Sequence, residues 1–205
     1  MRTLLALVLG LALATAPAMA QIWTEEGDAG DLPGNAQTPI GSGPLTAIIG
    51  SLSSSADADM YCVSVPDAGA FVATTCGVTT FDTQLWLFAG DGLGLSFNDD
   101  DPAGCGLQST VTGVFLPGGG EYLIAITSYS NDALNAGGLE IWVDSPFNVE
   151  RQPDGAGAGD PYIVSWDGAG FSDGAYQIAF TGAEFCGGAT AVEPTTWGTI
   201  KSIYK

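Results

Sequence analysis

The chain has 205 residues, of which 23 are acidic, four are lysine or arginine and none is histidine, for a formal net charge of −19. Such a surface repels nucleic acid and anionic lipid and attracts cations; without histidine there is no Ser-His or Cys-His nucleophile. An apolar fraction of 46% argues against disorder, and 30 glycines with 11 prolines argue for many turns and few helices.

Residues 1–20 read MRTLLALVLGLALATAPAMA. Arg2, the apolar run 4–16 and the small residues of Ala18-Met19-Ala20 predict a secretory signal peptide cleaved before Gln21. The run is short for a membrane span. Its removal leaves Arg151, Lys201 and Lys205 as the strong bases. The expected mature chain is secreted or at the cell surface, has no membrane span and does not bind nucleic acid. Residues 21–45 carry Glu25, Glu26, Asp28 and Asp31 in a Gly/Pro-rich stretch. This acidic lead-in is expected to be extended, either as a solvated arm or as part of a metal site.

Strands are expected next at 46–52 and 59–65. In the second, Tyr61, Val63 and Val65 fall on one face and Met60, Cys62 and Ser64 on the other. Pro66-Asp67-Ala68-Gly69 signals a turn, so 70–76 is expected to return as the other arm of a hairpin. Further strands are expected at 83–88, 93–97, 110–116, 121–127, 139–143, 162–166 and 175–181, with loops at 131–138 and 151–161. Nine to ten short strands at this spacing predict an all-β antiparallel sandwich or barrel over residues 46–186. Residues 187–205 form a linker and a tail. There Trp197, Ile200 and Tyr204 have the spacing of a short amphipathic helix. The ending TTWGTIKSIYK reads either as a sorting or surface-attachment tag or as a frayed end.

Four cysteines in an exported chain predict two disulfides. The absence of C-x-x-C and of histidine weighs against zinc. Cys76 follows one strand and Cys105 follows the acidic loop after 93–97, near the same end of the fold. That favours Cys76–Cys105 and leaves Cys62–Cys186.

Two acidic clusters stand at strand ends. Asp57 and Asp59 open one strand, and Asn98, Asp99, Asp100 and Asp101 end another. Asp82 can join the latter, because 83–88 and 93–97 share one end of a hairpin. Hard cations such as Ca²⁺ take roughly six to eight oxygen ligands, chiefly carboxylates and carbonyls. The spacing is not that of a helix–loop–helix calcium loop, since the twelfth position from Asp99 is Thr110 instead of glutamate. The alternative is that these residues cap strands and block edge pairing.

In order, the segments DADMY (57–61), DTQLWLF (82–88), GDG (90–92), NDD (98–100) and GEYLIAI (120–126) resemble the bacterial pre-peptidase C-terminal (PPC) domain family, itself similar to the collagen-binding domains of clostridial collagenases. The resemblance covers about residues 23–186. It implies a jelly-roll-like β-sandwich with calcium held between the acidic N-terminal segment and the strand that begins at Asp57 and Asp59. By position, the implied ligands are Glu25, Glu26, Asp28 and Asp31 with Asp57 and Asp59. Collagen binding is not carried over.

The expectation is therefore a secreted, non-catalytic, Ca²⁺-stabilised β-sandwich with an adhesion or surface-associated role. Its partner would be an unidentified extracellular protein or polysaccharide. One alternative is a carbohydrate-binding module, with Trp86, Trp142 and Trp166 as a sugar-stacking platform. Trp86 lies in a run apolar on both faces and reads better as core. A second alternative is a hydrolase using two carboxylates, although nothing in the spacing selects a pair.

Overall fold

A computed structural model describes residues 19–187 as an all-β protein, with two single-turn 3₁₀ segments and no α-helix. Most of the expected signal peptide and the whole amphipathic tail from 188 onward lie outside the described residues. No helix among the described residues is long and apolar enough to cross a membrane.

The strands are β1 (Gln21–Thr24), β2 (Leu45–Leu52), β3 (Ala58–Val65), β4 (Val72–Thr74), β5 (Thr83–Ala89), β6 (Gly94–Asn98), β7 (Thr110–Thr112), β8 (Gly120–Ser128), β9 (Ala133–Leu134), β10 (Ser165–Trp166), β11 (Gly174–Thr181) and β12 (Glu184–Phe185). One five-stranded sheet has the order β1-β2-β11-β4-β7 and the other β12-β3-β8-β5-β6. All neighbours are antiparallel except β1 and β2, which are parallel. Set aside β1, β12 and the small β9–β10 pair. In chain order, the first, eighth, third and sixth remaining strands then form one sheet, and the second, seventh, fourth and fifth form the other. That is the jelly-roll arrangement.

Alternation along each strand builds the core between the sheets. Tyr61, Val63 and Val65 of β3, Leu85 and Leu87 of β5, and Ile124 and Ile126 of β8 meet Ile48, Phe71, Ala73, Tyr176 and Ile178 from the facing sheet. The opposite face of the second sheet is apolar too, because it is also covered. Met60, Trp86, Phe88, Phe97 and Leu123 pack beneath Ala133, Ile141, Trp142 and Ile163 from the long loop between β8 and β11. Trp86 stacks on Phe97 with ring centroids 4.0 Å apart and meets Trp142 and Trp166 edge-on at 5.4 and 5.5 Å. The Trp86 and Trp142 side chains are 1% and 2% exposed. All three indole N–H groups donate within the protein, to Thr127 Oγ1, Arg151 O and Asp31 O. Trp86 and Trp142 are buried in this second core, and Trp166 packs against it half-buried.

Several local expectations change. Strands β3 and β4 are not a hairpin: they lie in different sheets, and the 3₁₀ turn Ala68–Ala70 carries the chain between them. All eight residues of β3 find partners on β8. The apolar run 139–143 is not a strand. Its Glu140 makes one isolated bridge to Leu134, while Ile141 and Trp142 turn down onto the second sheet. Residues 131–138, expected as loop, hold β9 instead, paired with the two residues of β10 that remain from the expected 162–166 strand. The 110–116 strand stops at Thr112, whose side chain caps the 3₁₀ turn Gly113–Phe115.

The acidic lead-in is woven into the sandwich. After β1, Gly30 O accepts from Met60 N–H at 3.1 Å, and Gln37 bonds Met60 O and Cys62 N–H at 2.8 and 2.9 Å. The segment thus runs from the edge of the first sheet to the edge of the second and closes the gap between them. Disulfides join Cys62 to Cys186 and Cys76 to Cys105, as expected.

Candidate metal centre

The period that turns Tyr61, Val63 and Val65 inward also turns Asp59 inward, at the mouth of the sandwich. Asp59 is fully buried. Its Oδ2 accepts from the Tyr176 hydroxyl at 2.6 Å, and Tyr61 and Tyr176 join their hydroxyls at 2.5 Å. Asp59 Oδ1 meets no hydrogen-bond partner among the described residues. The lead-in delivers Glu25 and Asp28 to the same point, where one carboxylate oxygen of each lies within 4.8 Å of the others. Two ligands on opposite sides of a Ca²⁺ ion at about 2.4 Å would be roughly 4.8 Å apart, so the three oxygens fit around one ion.

Glu25 is held in place by the backbone. Its Oε1 accepts from Ala29 N–H at 2.7 Å and its Oε2 from Ser51 N–H at 2.8 Å. Gly50 leaves room for this approach, since a Cβ there would strike the Tyr176 hydroxyl and come within 2.7 Å of Glu25 Oε2. Gly50→Ala is expected to cost about 1–3 kcal/mol of stability by overpacking, measured by denaturant unfolding. A loss below about 0.5 kcal/mol would show that Tyr176 and Glu25 yield freely.

Burial chiefly pushes the Asp59 carboxyl up to about 8; the Tyr176 hydrogen bond opposes the rise, and Glu25, Asp57 and Asp28 contribute to it. Burial also holds the Tyr61 and Tyr176 phenols above their ordinary range, so both remain protonated. The other implied ligands lie elsewhere. Asp57 spends its oxygens on Ser53 and Ala58 N–H at 2.5 and 2.9 Å, closing the turn before β3. Glu26 is exposed, and its backbone is bridged by the Gln37 side chain. Asp31 accepts from Asn35 and sends its carbonyl to Trp166.

A second group of carboxylates gathers at the same end of the second sheet, since Asp59 and Leu85 both pair with Ile126. Asp82 enters β5, Asp99 and Asp100 leave β6, and their oxygens again lie within 4.8 Å of one another. Asn98 is not among them. Its Oδ1 accepts from Thr110 N–H at 2.8 Å and its Nδ2 donates to Asp100 O at 2.7 Å, so it clamps the loop to the facing sheet. Asp101 is tied through its backbone to Gln108 O at 2.7 Å. Two further groupings, of Cys62 and Cys186 with Glu121 and of Cys76 and Cys105 with Asp101, use cysteines already consumed in disulfides.

Sequence reasoning did not find Tyr176, Gly50, Asp132 or Asp144. Burial raises Asp132 to about 7, with Asp144 beside it, and burial raises Asp144 as well. The alternation in β3 alone could have marked Asp59 as an inward carboxylate. Nothing in the sequence places Asp132 and Asp144, because the long β8–β11 loop brings them in. Compared with protein-family models and with curated proteins, the chain matches none of them.

Proposed function

We propose that the protein is an exported, non-catalytic β-sandwich of the PPC type, stabilised by Ca²⁺ and serving as an adhesion or surface-associated module. The observation that carries the calcium reading is Asp59, a buried carboxylate with an unpartnered Oδ1 that gathers with Glu25 and Asp28. Among the described residues Arg151 is the one strong base, and it is engaged with Asp154 at 3.2 Å. No side-chain cation among them offsets three converging carboxylates, so a hard divalent ion is the natural counter-charge. Glu25 and Asp28 come from the lead-in and Asp59 from β3, so an ion there would lock the lead-in across the edge of both sheets. Its role would be to fix structure.

Two disulfides suit an oxidising, extracytoplasmic compartment. The adhesion role rests on the family resemblance. Its partner is an extracellular protein or polysaccharide, recognised through a surface other than the buried Trp86 and Trp142. The test is thermal unfolding in EDTA and in Ca²⁺. At a Ca²⁺ concentration about a hundredfold above Kd the gain is about 2.7 kcal/mol. Equal melting temperatures in EDTA and in millimolar Ca²⁺ would defeat the calcium reading.

A further inference from the structure

We propose that Asp82, Asp99 and Asp100 form a second divalent-cation site, separate from the one at Glu25, Asp28 and Asp59. It shares no residue with the first site, and strand β8 lies between Asp59 on β3 and the β5 strand that Asp82 enters.

Three observations converge here. Asp99 is 2% exposed, and its Oδ1 meets no hydrogen-bond partner among the described residues; the same holds for the buried Asp82 Oδ1. Both carboxylates border a cavity of about 110 Å³, together with Asp100, Leu107, Tyr129 and Phe147. The volume suits one ion and a few waters to complete its shell. The walls are also fixed before any ion arrives. Asp82 O accepts from Tyr129 N–H at 3.2 Å, Asp100 N–H donates to Phe147 O at 3.1 Å, and Asn98 holds Asp100 O. Tyr129 and Phe147 meet edge-on at 5.9 Å and shield the rim.

Three carboxylate oxygens lie within 4.8 Å of one another, and Arg151, the one strong base among the described residues, is engaged with Asp154. A divalent ion satisfies all three carboxylates at once. Asp132 and Asp144 add to the negative field at Asp99 without joining the close group. Magnesium demands near-ideal octahedral geometry and keeps its waters, whereas Ca²⁺ tolerates irregular shells; the site therefore favours Ca²⁺. Bound there, the ion would tie the two arms of the β5–β6 hairpin together at their open end.

Isothermal titration of the metal-free protein with CaCl₂ tests this. The wild type is expected to bind two ions per chain, and E25Q/D28N to keep one. In the E25Q/D28N background, adding Asp100→Asn, a half-buried position that need not disturb folding, should weaken the retained ion by roughly tenfold or more, since ligand charge sets affinity. Adding Asp82→Asn as well should abolish binding. If E25Q/D28N binds no Ca²⁺ while the wild type binds one ion, the second site is overturned and the first stands. If E25Q/D28N and the wild type both bind one ion with equal affinity, and Asp100→Asn weakens it, the second site stands and the calcium reading at Asp59 fails. Unchanged affinity on adding Asp100→Asn overturns the second site.

Discussion

In EDTA the protein loses stability as pH rises from the ordinary carboxylate value of 3.8 toward about 8, and in saturating Ca²⁺ most of this loss disappears. Unfolded, Asp59 releases its proton near 3.8; folded and buried, it keeps the proton to about 8. Between those values the folded state binds more protons, so each rise in pH favours the unfolded state. The contribution is fully present below 3.8 and gone above about 8. One pKa unit corresponds to about 1.4 kcal/mol, so the loss amounts to several kcal/mol. Asp99, Asp132 and Asp82, raised to about 8, about 7 and about 6, add losses of the same sign. Calcium removes the share of Asp59, Asp82 and Asp99, because it binds only the ionised carboxylates and binds more tightly as pH rises, while the Asp132 share remains.

Asp59→Asn isolates the first site within that curve. The amide oxygen can still accept from Tyr176, while the buried charge and its repulsion by Glu25, Asp57 and Asp28 are removed. In EDTA at pH 8 the variant should be at least as stable as the wild type, with a shallower pH slope. Added Ca²⁺ should stabilise it less than it stabilises the wild type. Chemical denaturation at several pH values, with and without Ca²⁺, measures both. Stability in EDTA that rises with pH through this range would contradict the burial of an uncompensated Asp59.

The strands were legible from residue type, but their partners were not. Residues 59–65 declared their two faces by alternation, yet the turn at Pro66 suggested a hairpin that the jelly roll replaces with a crossing between sheets. Alternation reports which side of a strand is apolar; it is silent on which strand lies beside it. The run 139–143 misled for a related reason. Its residues favour strands because they favour burial, and here burial is met by packing Ile141 and Trp142 onto the outside of β5 and β6. The double-sided apolarity of 83–88 was the readable sign that such a cover exists. At the site, acid density pointed to the lead-in and to both strand ends. Selecting Glu25 and Asp28 over Glu26 and Asp31 needed the backbone, because Gly50 and Ser51 set where a carboxylate fits. Asp57 was legible as an acid near Asp59, but it is two residues nearer the turn, where it closes the backbone at Ser53 and Ala58 and stays outside the close group.

Replacing both Cys62 and Cys186 by alanine is expected to cost more than replacing both Cys76 and Cys105. The first bridge spans 124 residues and the second 29. Loop-closure entropy then assigns about 5 kcal/mol to the first and about 3.5 kcal/mol to the second. The local structure widens the gap. Strand β12 pairs with β3 through only Glu184 and Phe185, and Phe185 is buried in the inner core beside Gly41. Two ladder residues are too few to hold a strand alone, so Cys186 anchors this edge to the middle of β3. Its loss should release Phe185 and unprotect the Ser64 amide, which points toward β12, in hydrogen exchange, while the Val63 amide stays bonded to β8. By contrast, Cys105 sits in an exposed loop whose other end is held by Ser109, through bonds to Thr75 and Thr83. Removing Cys76–Cys105 should leave that hydrogen-bonded base intact and loosen mainly residues 101–108, next to Asp99 and Asp100. Urea unfolding of the two double variants, with amide exchange read at β3 and β7, separates the cases. An equal or larger loss from the Cys76–Cys105 pair would show that loop length does not govern their relative worth.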